Sequence, residues 1–193
     1  MSPARARTSS AEIMSAARAI LETDGLDAVT MQAVADRVGV RAPSLYKRFA
    51  SRAALLTAVA DDVAAELGEA IASSLREADP GDAIRSLAMR FRAFGHSLPG
   101  AYRLLFSDRG TGTDPGPGIG SEAAVGLLAL TERLVGRDRA LDAARFLTAF
   151  AHGFVSMELA GAFRLGGDVD KAFDFSIEAI VAGLRAPHSL GSG

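Results

Sequence analysis

The sequence predicts an all-α protein of about nine helices, and three observations carry that expectation. Alanine and leucine abound. Apolar residues recur at i, i+3, i+4 and i+7 along most of the chain, and no β-branched alternating run is bounded as a strand would be. At 193 residues the chain suffices for a small headpiece on a larger helical body, and it contains no internal repeat. The composition is that of a soluble globular protein, 49% apolar and 23% charged. No apolar run approaches the roughly 20 residues of a membrane span, so no membrane partner is expected. The lack of cysteine removes disulfides, thiolate metal sites and cysteine nucleophiles. The opening MSPARARTSS has no apolar core of a secretory signal, and a cytoplasmic location is expected.

The first helix is expected over about residues 10–24. Ser9 or Ser10 caps it, Ile13, Ala17, Ile20 and Leu21 share one stripe, and Gly25 supplies the stop. The second starts after Thr30, a good N-cap, buries Met31, Val34, Ala35 and Val38, and ends at Gly39. Only Val40 and Arg41 separate it from a short third helix, Ala42 to Phe49, which buries Leu45 and Phe49 and tolerates Pro43 in its first turn. Ser51 caps a long fourth helix, Arg52 to Glu77, with Leu55, Leu56, Val59, Val63, Leu67 and Ile71 on its stripe. Pro80-Gly81 reads as a break before a fifth helix, Asp82 to Ser97. Pro99-Gly100 breaks the chain again before a short segment, Ala101 to Phe106. The glycine- and proline-rich stretch 108–120 reads as a mobile surface loop. Three more helices follow, Ser121 to Val135, Asp138 to Phe163 and Asp168 to Leu184, and residues 187–193 read as a flexible tail.

The formal net charge of −2 hides an asymmetry. Residues 1–52 carry eight basic against five acidic side chains, residues 53–193 thirteen against eighteen. A basic head on an acidic body favours phosphate contact at one end. That head has helix-turn-helix proportions, a motif whose second helix enters the major groove while the first crosses the backbone. With Leu45 and Phe49 inward, the short helix turns Arg41, Ala42, Ser44, Lys47 and Arg48 outward. Small side chains let it sit deep, and a flanking arginine can read guanine or hold a phosphate. Tyr46 can give its hydroxyl to a phosphate, and the N–H groups opening the second helix form an anion site with the Thr30 hydroxyl. Arg52 sits in the first turn of the fourth helix, where a cation opposes the helix dipole, and this points to a phosphate nearby. On pattern alone two readings stay open: a DNA-binding headpiece, or a three-helix corner of a bundle with solvated charges.

The run Thr30-Met31-Gln32-Ala33-Val34-Ala35-Asp36-Arg37-Val38-Gly39-Val40, followed by Leu45-Tyr46 and Phe49, resembles the headpiece of TetR-family transcriptional regulators. The likeness spans roughly residues 10–56 and includes Gly25 and Arg52-Ala53-Ala54-Leu55-Leu56. It implies an N-terminal helix-turn-helix headpiece, residues 1–52, and a C-terminal helical domain for ligand binding and dimerisation, residues 53–186. It also implies that Thr30, Tyr46, Lys47 and Arg52 hold phosphates and that Arg41, Ala42, Pro43 and Ser44 lie at or near base edges. Arg41 departs from the family by standing where a Ser or Thr cap is common, and Arg48 by standing where a histidine is common. Further on, Ala151-His152-Gly153 and Glu158-Leu159-Ala160-Gly161 resemble the C-terminal domain of a TetR subgroup that carries Trp-His-Gly, with Ala151 in place of the tryptophan.

The resemblance implies an effector pocket within the fourth to eighth helices, for which Phe91, Phe94, Tyr102, Phe106, Phe150 and His152 are candidates. Aromatics at helical spacing also suit plain core packing, and His152 can equally be a satisfied buried histidine or an interface residue. Few charges lie on the inward stripes, so the expected effector is apolar or weakly polar. The eighth helix is apolar on more than one face, and the ninth offers Phe173, Ile177, Ile180, Val181 and Leu184. A two-fold homodimer pairing both helices into a four-helix bundle would cover them. The expected partners are therefore double-stranded operator DNA, a small-molecule effector and a second copy, and the expected function is a ligand-responsive repressor on a palindromic operator. An enzyme has little support. His96, His152 and His188 lack metal-ligand spacing, no G-x-S-x-G occurs, and the glycine-rich stretch lacks a phosphate-loop pattern, so no cofactor, metal or catalytic residue is implied.

Overall fold

The computed structural model describes residues 8–74, 76–107 and 121–186. The stretch 108–120 and the tail 187–193, expected as loop and frayed end, lie outside the described residues, as do Arg5, Arg7 and His188. Among the described residues there are nine α-helices and no strand: α1 (Ser10–Asp24), α2 (Met31–Arg37), α3 (Ala42–Leu45), α4 (Arg52–Ser74), α5 (Pro80–Ser97), α6 (Pro99–Phe106), α7 (Ser121–Val135), α8 (Arg137–Leu159) and α9 (Val169–Arg185). One turn of 3₁₀ helix, Leu26–Ala28, joins α1 to α2.

Caps set most of these bounds. Ser9 and Glu12 form a reciprocal capping box on α1, with Glu12 N to Ser9 Oγ at 3.1 Å and Ser9 N to Glu12 Oε2 at 2.7 Å. Thr30, Ser51 and Asp168 cap α2, α4 and α9 by accepting the amides of Ala33, Ala54 and Lys171, each at 3.1 Å. Several bounds differ from expectation, three of them for reasons the local bonds show. Pro80 opens α5 instead of breaking the chain, because Asp79 accepts the Asp82 amide at 2.9 Å and proline suits the first helical position. Pro99 likewise falls in the first turn of α6. α8 stops at Leu159, short of Phe163, because Gly161 (φ +62) turns left-handed and the Ala162 amide reaches back to the Met157 carbonyl at 2.9 Å.

The described residues divide into two compact units, residues 8–66 with 98–107, and residues 67–97 with 121–186. In the first, α1 packs on α2 and α6, and α2 on α3. Its core holds Ile13, Ile20, Val29, Val34, Leu45, Leu55 and Val59, all buried. Polar side chains of α1 reach α4 and α6 within this unit. Arg18 grips both oxygens of Glu66 on α4, at 2.5 and 2.6 Å, and that bond holds the Glu66 carboxyl below the usual carboxylate range. Glu22 accepts the amides of Gly100 and Ala101 at 2.8 and 2.7 Å, which supplies the cap that Leu98 cannot give α6. Gly100 is required there, since a Cβ would stand 2.6 Å from the Leu21 carbonyl oxygen.

The second unit is built on Ala83, Ile84, Ala88, Leu130, Leu147, Phe173, Ile177 and Val181, with Ile180 and Leu184 packed against them. This corrects the expectation for α9: its strongest apolar stripe is spent inside the protomer, and Phe173, Ile177 and Val181 are not available to a second copy. Buried Thr131 ties α7 to α8 by donating to the Ala140 carbonyl at 2.9 Å. Arg92 on α5 donates Nε and Nη2 to the two oxygens of Glu158 at 2.9 and 2.6 Å, reaches Asp170 at 2.5 Å, and lies 4.9 Å over the Phe173 ring. Burial alone would raise the Glu158 carboxyl. Its bonds to Arg92 and His96 outweigh burial and hold it below the usual range.

A substitution Gly100→Ala is expected to destabilise the fold by about 1–3 kcal/mol, through a clash with backbone that cannot rotate away. Urea unfolding of the two forms measures it, and an unchanged midpoint would mean that α1 and α6 separate more readily than their contacts indicate.

Candidate nucleic-acid interface

The candidate interface is a short helix held outward by a compact support. α2 ends in a Schellman turn: the Gly39 amide bonds the Asp36 carbonyl at 3.2 Å and the Val40 amide the Ala35 carbonyl at 3.0 Å. Gly39 has φ +71, a conformation that favours glycine. Val40 and Arg41 then lead into α3, which is only four residues long, against the eight expected. The Arg48 and Phe49 amides both bond the Leu45 carbonyl, at 2.8 and 2.9 Å, so the chain stays wound through Phe49. Leu45 is 0% exposed and Phe49 9%.

With those two side chains inward, Arg41, Pro43, Ser44, Tyr46, Lys47 and Arg48 are exposed and Ala42 is half-buried. Thr30 is exposed at the start of α2, its hydroxyl engaged by the Ala33 amide. Arg41, the N-cap of α3, makes no capping bond, so the start of this helix has no side-chain cap. Arg52 is half-buried, and its Nε and Nη2 donate to the carbonyls of Val29 and Leu26, each at 2.6 Å. The cation that opposes the α4 dipole thus has partners within the protein. These bonds link residues 23 and 26 apart, a separation with no signature in the sequence.

The expected effector residues are distributed over both units. Tyr102 and Phe106, with ring centres 4.8 Å apart, belong to the first unit, and Phe91, Phe94, Phe150 and His152 to the second. Phe91 and Phe94 are buried, and Phe150 stacks on Phe173 at 5.9 Å. Burial pushes the His152 imidazole below the usual histidine pKa. A shallow cleft of about 260 Å³ in the second unit is lined by other residues, Met89, Arg92, Ala93, His96 and Asp170. No described helix is long and apolar enough to cross a membrane.

An all-α chain whose N-terminal unit presents a capped helix, a Schellman turn and a second short exposed helix is a helix-turn-helix protein. Residues 13–59 match the family described as bacterial regulatory proteins, tetR family, and residues 84–180 the tetracyclin repressor-like C-terminal domain. The chain belongs to the TetR family of transcriptional regulators. It is 28% identical over 186 residues to the uncharacterized HTH-type transcriptional regulator Rv0681 of Mycobacterium tuberculosis, covering 93% of this chain and 83% of that one. A protein of unknown function from Rhodococcus sp. RHA1 shares the fold with a TM-score of 0.82 at 20% identity, over 96% of this chain and 100% of that one. A single-substitution variant of TetR from Acinetobacter baumannii AYE, in complex with minocycline, superposes with a TM-score of 0.68 at 25% identity, over 93% and 99% of the two chains.

Restoring a capping side chain with Arg41→Ser is expected to stabilise the protein by about 0.5–2 kcal/mol. A melting temperature that fails to rise would mean that the start of α3 is already satisfied, for instance by water.

Proposed function

We propose that this regulator is a ligand-responsive repressor that binds a roughly palindromic operator as a homodimer in the cytoplasm. The single observation that supports DNA contact at α3 is the division of side chains over residues 41–49: Leu45 and Phe49 are inward, and Arg41, Ser44, Tyr46 and Lys47 outward. In this reading Thr30, Tyr46 and Lys47 hold phosphates, while Arg41, Ala42, Pro43 and Ser44 lie at base edges. Two headpieces about 34–36 Å apart meet one face of the duplex. Bound near a promoter, the dimer blocks transcription.

The dimer surface that fits best is the outer side of α8 and α9. Phe146, Met157 and Phe175 are 52%, 46% and 72% exposed. Phe146, Gly153 and Met157 recur at helical spacing along α8, as do Phe175, Ala179 and Ala182 along α9. Exposed aromatic residues beside small ones allow close packing of two helix pairs. A small-molecule effector has precedent in the relative that carries minocycline. For this chain an apolar or weakly polar molecule suits the aromatic candidates. Such a molecule releases DNA only to the extent that it binds the non-binding conformation better.

Binding is tested by titrating a labelled duplex from upstream of the protein's own gene at several salt concentrations. Tyr46→Phe and Lys47→Ala are expected to weaken binding to all sequences alike, with Lys47→Ala lowering the salt slope by about 0.9. Arg41→Ala and Ser44→Ala are expected to change which operator variants are preferred, by about 1–3 kcal/mol per affected base pair. Selectivity that is the same in all four variants would remove α3 from the groove. Phe175→Asp is expected to halve the mass seen by light scattering, and an intact dimer would move the interface off α9.

A further inference from the structure

We propose that Arg52 is a positioning residue for DNA binding, acting through Thr30 and not by touching the DNA itself; this rests on the reading of Thr30 as a phosphate contact. Arg52 opens α4, where a cation opposes the helix dipole. Two charge-assisted bonds offset that placement, Nε to the Val29 carbonyl and Nη2 to the Leu26 carbonyl, each at 2.6 Å. Both acceptors lie in the turn that delivers the chain to Thr30. Leu26 opens the 3₁₀ helix, and its carbonyl also accepts the Val29 amide at 3.2 Å. Val29 immediately precedes Thr30, and its side chain is 0% exposed. The Thr30 amide closes the same turn on the Ala28 carbonyl at 2.8 Å.

Thr30 is thereby held from both sides. The guanidinium fixes the chain before it, and its own cap fixes the chain after it, through Ala33 N to Oγ1 at 3.1 Å and Val34 N to the Thr30 carbonyl at 3.0 Å. The hydroxyl accepts in that cap and keeps its proton, so it can donate to a phosphate oxygen. A planar guanidinium satisfies two carbonyls at a fixed mutual angle, and an ammonium is a point donor. The fork, and not the charge alone, sets the direction in which Thr30 points. A residue that merely met a phosphate would need only the charge.

The experiment compares Arg52→Lys and Arg52→Gln in the full chain. It measures affinity for the upstream duplex against salt, and amide exchange at Ala33 and Val34. Both variants are expected to bind roughly tenfold more weakly with an unchanged salt slope. Ala33 and Val34 are expected to exchange faster in both. Thr30→Val is expected to cost affinity in the wild type and little more in Arg52→Lys, a non-additivity that loss of stability alone would not produce. The proposal is overturned if Arg52→Lys binds as the wild type while Arg52→Gln loses about 0.9 from the salt slope, the mark of a direct phosphate contact. It is also overturned if exchange at Ala33 and Val34 is the same in all three proteins. Wild-type binding no tighter to the upstream duplex than to mixed-sequence DNA would instead sink the operator reading, and the exchange rates would still decide the role of Arg52.

Discussion

The burial of Leu45 and Phe49 is the constraint on which the N-terminal unit's function depends. A four-residue helix has no stability of its own, since nucleation is unfavourable and its start is uncapped. What holds it is the removal of two large apolar side chains from water, each contributing roughly 1.5–3 kcal/mol. Once these two are fixed, the helical period leaves Arg41, Ser44, Tyr46, Lys47 and Arg48 nowhere to point but outward. The direction of the basic face is thus a consequence of core packing, and the tight α2–α3 connection, closed at Gly39, keeps that face in register with Thr30.

Electrostatics follows from the same architecture. Four carboxylates of the first unit are engaged in structural work: Glu12 in the capping box, Glu22 at the start of α6, Glu66 on Arg18, and Asp36 with Gln32 at 2.7 Å. Among the described residues, Arg41, Lys47 and Arg48 pair with no acid. The modest excess of positive charge in residues 1–52 therefore becomes a local field at α3, where attraction to a phosphate backbone is useful. The second unit does the opposite. It commits Arg92, His96 and Arg185 to Glu158, Asp170 and Asp79, and leaves apolar side chains of α8 and α9 at the surface.

The parts of this arrangement that are legible in the sequence are local ones. Ser9, Thr30, Ser51 and Asp168 cap helices because a hydroxyl or carboxylate just before an apolar period has one nearby use. The inward turn of Leu45 and Phe49 follows from spacing. Features that the sequence misplaces have two causes. Proline serves both to break a chain and to open a helix, and only the Asp79 cap decides between them at Pro80. The α9 stripe reads as a dimer surface because one apolar face looks the same whichever partner covers it, and here Ile84, Leu130 and Leu147 of the same unit do. Glu22 on α6, Arg18 on Glu66 and Arg52 on Leu26 and Val29 join residues distant in sequence, and no periodicity announces such pairs. The candidate effector residues are the least legible, since an aromatic at helical spacing fits a core and a pocket equally well.

Because the chain has no cysteine, a single introduced thiol reports its own surroundings without background. The most direct measurement is the rate of thiol labelling in Ser44→Cys and Leu45→Cys, with and without DNA. Fast labelling at position 44 that DNA suppresses, beside slow labelling at position 45 in both conditions, is what an outward helix anchored by Leu45 requires. Equal rates at the two positions, or a rate at 44 indifferent to DNA, would contradict it.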